Sequence, residues 1–69
     1  MKKVLEDHGW VHFYTCSPSC GRKEHFNHKE KPGLLIVIRP KKRVFNVYRN
    51  NLTIKEGTEN ELTAYLKTI

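Results

Sequence analysis

The stretch Leu34-Leu35-Ile36-Val37-Ile38-Arg39-Pro40-Lys41-Lys42-Arg43-Val44-Phe45-Asn46-Val47-Tyr48-Arg49-Asn50-Asn51-Leu52-Thr53-Ile54-Lys55 decides the fold of this chain. Its first five residues form an unbroken apolar run, rich in β-branched side chains and held between Pro32-Gly33 and Pro40. A run that short and that apolar reads as a central strand with both faces covered, not as a helix. Pro40 to Arg43 turns the chain into a second strand, Val44 to Arg49, and Asn50-Asn51 is a two-residue hairpin signal leading into a third, Leu52 to Lys55. With that turn fixed, Val47 is expected opposite Ile54 and Tyr48 opposite Thr53. Ile36, Ile38, Phe45, Val47 and Ile54 then share a core face, and Leu35, Val37, Arg39, Val44, Asn46, Tyr48, Thr53 and Lys55 share the reverse.

Beyond this hairpin, Gly57 precedes Thr58-Glu59-Asn60-Glu61, a Thr-x-x-Glu capping box. Leu62, Tyr65, Leu66 and Ile69 follow at i, i+3, i+4 and i+7, which predicts a C-terminal helix from 59 to about 68. On the other side, Glu24 to Lys29 reads as a strand with Phe26 toward the core, and Ser17-Pro18-Ser19-Cys20-Gly21 as a loop. From Trp10 the residues alternate, with Val11 and Phe13 on one face and Trp10, His12, Tyr14 and Cys16 on the other. If Phe26 sits opposite Phe13, Tyr14 faces His25 and His12 faces Asn27. Met1, Val4, Leu5 and His8 repeat at helical spacing, and Gly9 is placed to end a short helix over residues 2 to 8. The expected fold is a single α+β domain over residues 1–69: a short N-terminal helix, an antiparallel meander of four to five strands and a C-terminal helix, both helices on one sheet face.

A chain of 69 residues sits below the size at which a lone hydrophobic core stabilises comfortably, so a metal, a partner subunit or unusually regular packing is expected to help. No stretch approaches the roughly 18 apolar residues of a membrane span. The N-terminus turns acidic at Glu6-Asp7 before a signal-peptide core develops, so the expectation is a cytoplasmic protein with no membrane partner. In that compartment Cys16 and Cys20 are expected as thiols or ligands in preference to a disulfide, with a Cys16–Cys20 bridge the alternative for a secreted protein. The net charge of +6 lies entirely in the middle: residues 22 to 55 carry ten basic side chains against Glu24 and Glu30. Such a centre favours polyanions through counterion release, or it serves as a solvated face that keeps a small protein soluble.

All four histidines (His8, His12, His25, His28) and both cysteines fall between residues 8 and 28. Cys16-x3-Cys20-x4-His25-x2-His28 has the ligand types of a zinc site, but residues three apart on a strand point to opposite faces, so His25 and His28 cannot share one ion without a bulge or helix there. A set that respects the pleat is His12, Cys16 and His25 on the outward face, with Cys20 reaching in from the loop. Zinc on that set is one reading; no cofactor, with exposed histidines and inert thiols, is the favoured one. His25, flanked by Arg22, Lys23 and Lys29, is the candidate catalytic residue, because a histidine among cations can act as general base or acid toward a ribose hydroxyl and its phosphate. No nucleophile with a paired base, carboxylate pair or phosphate-cradling glycine loop is present in the sequence.

Three short segments, Leu5-Glu6-Asp7-His8-Gly9-Trp10, Gly21 to His28 with its Phe26-x-His28, and Ile54-Lys55-Glu56-Gly57-Thr58, resemble HicA-type toxins. The resemblance covers about a third of the chain. It implies a small basic protein with a double-stranded-RNA-binding-like fold that cleaves messenger RNA. This sequence departs from the family in two ways. Lys23 stands where the family carries its catalytic histidine, two residues after the glycine, and the stretch before the final Gly-Thr is longer by about one hairpin. The resemblance therefore implies that an RNA-binding face persists while catalysis moves to His25 or is lost.

Nucleic-acid binding, and RNA in particular, is accordingly the leading expectation, through Arg22, Lys23, Lys29, Arg39, Lys41, Lys42, Arg43 and Tyr48. Trp10, Tyr14 and Tyr48 are candidate stacking or packing groups. A ribonuclease using His25 is the second reading. The third is a protein-interaction module that is zinc-stabilised, homodimeric or covered by a small protein partner.

Overall fold

The computed structural model describes residues 2–68. Met1 and Ile69, the outermost members of the two helical repeats read above, lie outside the described residues. The order is α1 (Lys2–Asp7), β1 (Trp10–Thr15), a single 3-10 turn (Pro18–Cys20), β2 (Glu24–His28), β3 (Leu34–Arg39), β4 (Val44–Arg49), β5 (Leu52–Thr58) and α2 (Glu59–Leu66). The five strands form one antiparallel sheet in the order β1-β2-β3-β4-β5, a meander. Both helices pack on the same face, so the expected α+β architecture is the one observed.

The apolar run does what its composition requires. Leu34, Ile36 and Ile38 point to the helices, joined there by Phe26, Phe45, Val47, Leu5, Trp10, Leu62 and Leu66 in one buried cluster, with Val4 and Tyr65 packed against it. Val37, on the other face of β3, is buried as well. Asn50 and Asn51 take φ values of 50° and 71°, the double left-handed geometry of a type I′ hairpin that asparagine tolerates. At α2, the Thr58 N–H donates to Glu61 Oε1 at 3.5 Å and the Glu61 N–H donates back to the Thr58 side chain, the reciprocal pair of the expected capping box.

The alternation read into β1 and β5 fails, in both cases through a bulge. His12 pairs with Phe26 and Tyr14 with His25, so Phe13 is an extra residue in β1 with no partner of its own. Val47 pairs with Lys55 and Tyr48 with Thr53, so Ile54 is the extra residue in β5. Tyr14 opposite His25 and Tyr48 opposite Thr53 agree with the sequence reading; Phe13 opposite Phe26, His12 opposite Asn27 and Val47 opposite Ile54 are corrected. Phe13 and Ile54, assigned to the core, stand about half exposed. Trp10, assigned to the other face, is 1% exposed and fills the core beneath α1.

The cause lies at Gly9. It takes φ +88°, ending α1 and dropping Trp10 directly under Leu5, and a Cβ there would come within 3.1 Å of His28 Nε2. Burying an indole outweighs burying Val11, so the strand starts with Trp10 inward, Val11 and His12 change face, and the bulge at Phe13 returns Tyr14 to the face read for it. Both bulges fall on the outer strands of the sheet, where an irregular, twisted edge discourages pairing with another chain.

Candidate nucleic-acid interface

In an antiparallel meander alternate connections share an end of the sheet. The β1–β2 loop and the β3–β4 turn therefore lie together, and Arg22, Lys23, Arg39, Lys41, Lys42 and Arg43 gather at one end. Lys29 sits in the β2–β3 connection, at the opposite end, beside His8, His28, Glu30 and Lys31. Strands of six residues rise about 3.3 Å per residue, so roughly 17–20 Å separates Lys29 from the cluster. Tyr48 is half-buried on the face away from the helices, toward Lys29's end.

Loop hydrogen bonds hold the basic end in shape. Cys20 and Arg22 N–H both donate to Ser17 O, at 3.0 and 3.2 Å, Gly21 N–H donates to Pro18 O at 3.1 Å, and Cys16 N–H donates to Lys23 O at 2.9 Å. Cys16 and Cys20 are joined as a disulfide with Cα atoms 6.2 Å apart, within the range such a bridge needs. The expectation of free thiols is corrected by this pairing.

Among the described residues seven have positive φ: Gly9, Gly21, Gly33, Asn50 and Asn51 are residues that tolerate it, and the other two are Arg22 (φ 53°) and Arg43 (φ 54°). A Cβ in this region crowds the backbone and costs about 1–2 kcal/mol. Both strained side chains belong to the basic cluster. Strain retained where glycine would relieve it is a pointer to a functional position.

The face opposite the helices carries no helix among the described residues. The bulge turns both Phe13 and Tyr14 toward His25, with ring centroids 6.1 and 5.2 Å away, so three rings crowd together on β1 and β2. Phe13 and Tyr14 are each 54% exposed. Beside them Arg39 Nε donates to Asn46 Oδ1 at 2.8 Å, and Asn46 Nδ2 donates to Glu56 Oε2 at 3.1 Å. Arg39 thus uses one donor and keeps the rest of its guanidinium free in a set orientation. His25 has its pKa lowered, first by partial burial and then by the positive charges of Lys23, His12 and Arg39.

The structure does not assemble the metal set His12, Cys16, Cys20 and His25. His12 lies on the helix side, its Nε2 2.6 Å from Thr15 Oγ1 and its ring against Phe26, whereas His25 is on the open face. With the two cysteines bonded to each other, no group of three or more ligands capable of holding a metal ion occurs among the described residues. His28 is structural: its Nδ1 accepts from Glu30 N–H at 3.1 Å, so Nε2 donates to His8 O at 3.1 Å, pinning the turn that starts β1.

Of the proposed stacking groups, Tyr14 is exposed, Tyr48 half-buried and Trp10 buried in the core; Phe13 was missed. The signal for Phe13 was present in the consecutive aromatics Phe13-Tyr14, which strict alternation cannot place on one face but a bulge can. No helix of the described residues is long and apolar enough to cross a membrane. No family model, curated protein or solved structure matches the chain.

Proposed function

We propose that this domain binds single-stranded nucleic acid, RNA foremost, laying bases on Phe13, Tyr14 and His25 and phosphates on the basic end formed by Arg22, Lys23, Arg39, Lys41, Lys42 and Arg43. The observation that carries this reading is the pair of left-handed arginines. A charge cluster alone is a common solubility device, but Arg22 and Arg43 hold their side chains at positive φ, where glycine fits better, and such strain supports a role for those side chains. The exposed rings supply the second half. Stacking on aromatics is sequence-tolerant and is worth about 1–3 kcal/mol per base. An open sheet beside a cationic rim suits an unpaired strand, whose bases can splay onto it, better than a duplex, whose bases stay stacked.

The choice of RNA over DNA rests on the resemblance to HicA-type toxins. The same resemblance sustains a second reading, cleavage by His25, and one feature of the site favours it. The histidine stands on the open face between two rings and beside Lys23 and Arg39, in reach of the strand proposed to lie there, and is held toward its neutral, proton-accepting form. A cytoplasmic location belongs to this reading too; in that compartment the reducing thiol pool would open Cys16–Cys20.

The test is fluorescence anisotropy with labelled single-stranded RNA, the same sequence as DNA, and duplex RNA, between about 50 and about 200 mM salt. Tightest binding to single-stranded RNA and a steep salt dependence are expected. Replacing Lys41, Lys42 and Arg43 with Ser should weaken binding across all sequences and flatten the salt slope by about two to three contacts. Failure of the native protein to bind any of them at low salt, where surface charge acts most strongly, would end the reading. Incubation of native protein and His25→Ala with the RNA separates binding from cleavage: products made by the first and lost in the second, at equal binding, identify a ribonuclease.

A further inference from the structure

The basic end is not flat. Cys20, Gly21, Lys23, Arg39, Lys41 and Lys42 line a recess of about 260 Å³ between the disulfide-closed loop and the β3–β4 turn. Four of the six lining residues are cationic and none is a carboxylate. The nearest acidic side chains are not in its wall: Glu24 belongs to the helix-facing side of β2, paired with Ile38, Glu59 starts α2, its N–H donating to Arg43 O at 3.1 Å, and Glu56 is separated from Arg39 by Asn46, whose Nδ2 donates to it. The recess is smaller than the roughly 300–1,000 Å³ usual for organic ligands, which suits one compact charged group.

We infer that this recess is a pocket for a terminal phosphomonoester of the bound RNA. A phosphate inside a strand carries one negative charge and continues into the chain at both sides, so it offers this cationic recess less charge and fewer free oxygens than a strand end does. A terminal phosphate enters end-on and carries close to two charges at neutral pH. Four cations without a counter-ion in the wall match that dianion better than a diester. Arg39 supplies the directional element: with Nε committed to Asn46, its terminal nitrogens form a fork of the kind that grips two phosphate oxygens at once. Gly21 contributes an uncrowded stretch of backbone, since a Cβ built there meets nothing within 4 Å. The loop that forms one wall is tied by its own backbone hydrogen bonds, which hold with or without the Cys16–Cys20 bridge, so the recess is formed before the ligand arrives. Arg39 lies on the rim of the open face, so a strand stacked on Phe13 and Tyr14 would end at this pocket.

The inference rests on the proposed single-strand binding, and one experiment separates the two. Affinities are measured for one short RNA with hydroxyls at both ends, with a 5′-phosphate, and with a 3′-phosphate, and inorganic phosphate is titrated as competitor. A terminal phosphate at one end is expected to raise affinity about tenfold, an advantage that millimolar inorganic phosphate erases. Which end is preferred gives the polarity of the bound strand. In Arg39→Gln the ratio of phosphorylated to unphosphorylated affinity should fall to about one. Arg39→Lys, which keeps the charge and loses the fork, should leave an intermediate ratio. Lys23→Ser should lower the ratio as well, and it serves if Arg39→Gln does not fold. Equal binding of all three RNAs overturns the pocket and leaves the single-strand reading standing. Binding of none of them at low salt overturns both.

Discussion

Replacing Arg22 and Arg43 together by glycine should make the protein more stable and a poorer binder. Both arginines sit near φ 53–54°, where a side chain costs about 1–2 kcal/mol that glycine does not incur. Glycine returns about 0.5–1 kcal/mol of that as added freedom of the unfolded chain, so each exchange leaves a gain of about 0.5 kcal/mol or somewhat more. The two sites lie in different connections and should add, giving about 1 kcal/mol. In a domain of this size that is a rise in Tm of about 4–8 °C. Trp10, the single tryptophan and almost fully buried, reports the transition by fluorescence. Binding should move the other way. Losing two phosphate contacts flattens the salt dependence on single-stranded RNA by about 0.7 per contact and weakens binding at low salt. The double exchange to lysine, which keeps both charge and strain, should change neither quantity much. A lower Tm in the glycine variant would refute the claim of strain. A higher Tm with unchanged affinity and slope would refute the claim that the strain is kept for a polyanion.

Phe13→Ala should cost less than about 1 kcal/mol of stability yet weaken RNA binding by about 1–3 kcal/mol, whereas Trp10→Ala should cost about 3–5 kcal/mol; equal losses on thermal melting would show that the β1 bulge is misassigned. Leu62→Ala or Leu66→Ala should each cost about 2–5 kcal/mol, close to the whole stability of so small a domain, and a denaturant titration showing under 1 kcal/mol at both would displace the core described here. Reduction of Cys16–Cys20 should lower stability by about 2 kcal/mol, the loop-closure contribution of so short a ring, read as a fall in Tm that Cys16→Ser reproduces without reductant. Because the folded pKa of His25 is lowered, the unfolded chain binds its proton more readily, so stability should be lost as pH falls from the ordinary value of 6.5 toward the folded pKa; His25→Gln should remove that part of the decline, checked by melts across the pH range.

The primary sequence determined whatever depends on near neighbours. The apolar run of β3, the Asn50-Asn51 hairpin and the Thr58–Glu61 cap are each specified by residues within a few positions of one another, and all three are found as read. Meander topology followed from these, and with it the sharing of one end by residues 22–23 and 39–43. The exclusion of Lys29 was legible by the same logic, since it belongs to the intervening connection. Tertiary structure alone decided the faces of β1 and β5. A period of two assumes that no residue is skipped, and whether a strand inserts one depends on what lies across it: α1 above Trp10, and the neighbouring strands β2 and β4, against which Phe13 and Ile54 find no partner. That choice sent Phe13 and Ile54 outward, parted His12 from His25, and created the aromatic surface beside the basic end. The left-handed arginines were equally hidden. Nothing in the local sequence favours arginine at positive φ, and only the closure of the loop and turn on either side imposes it.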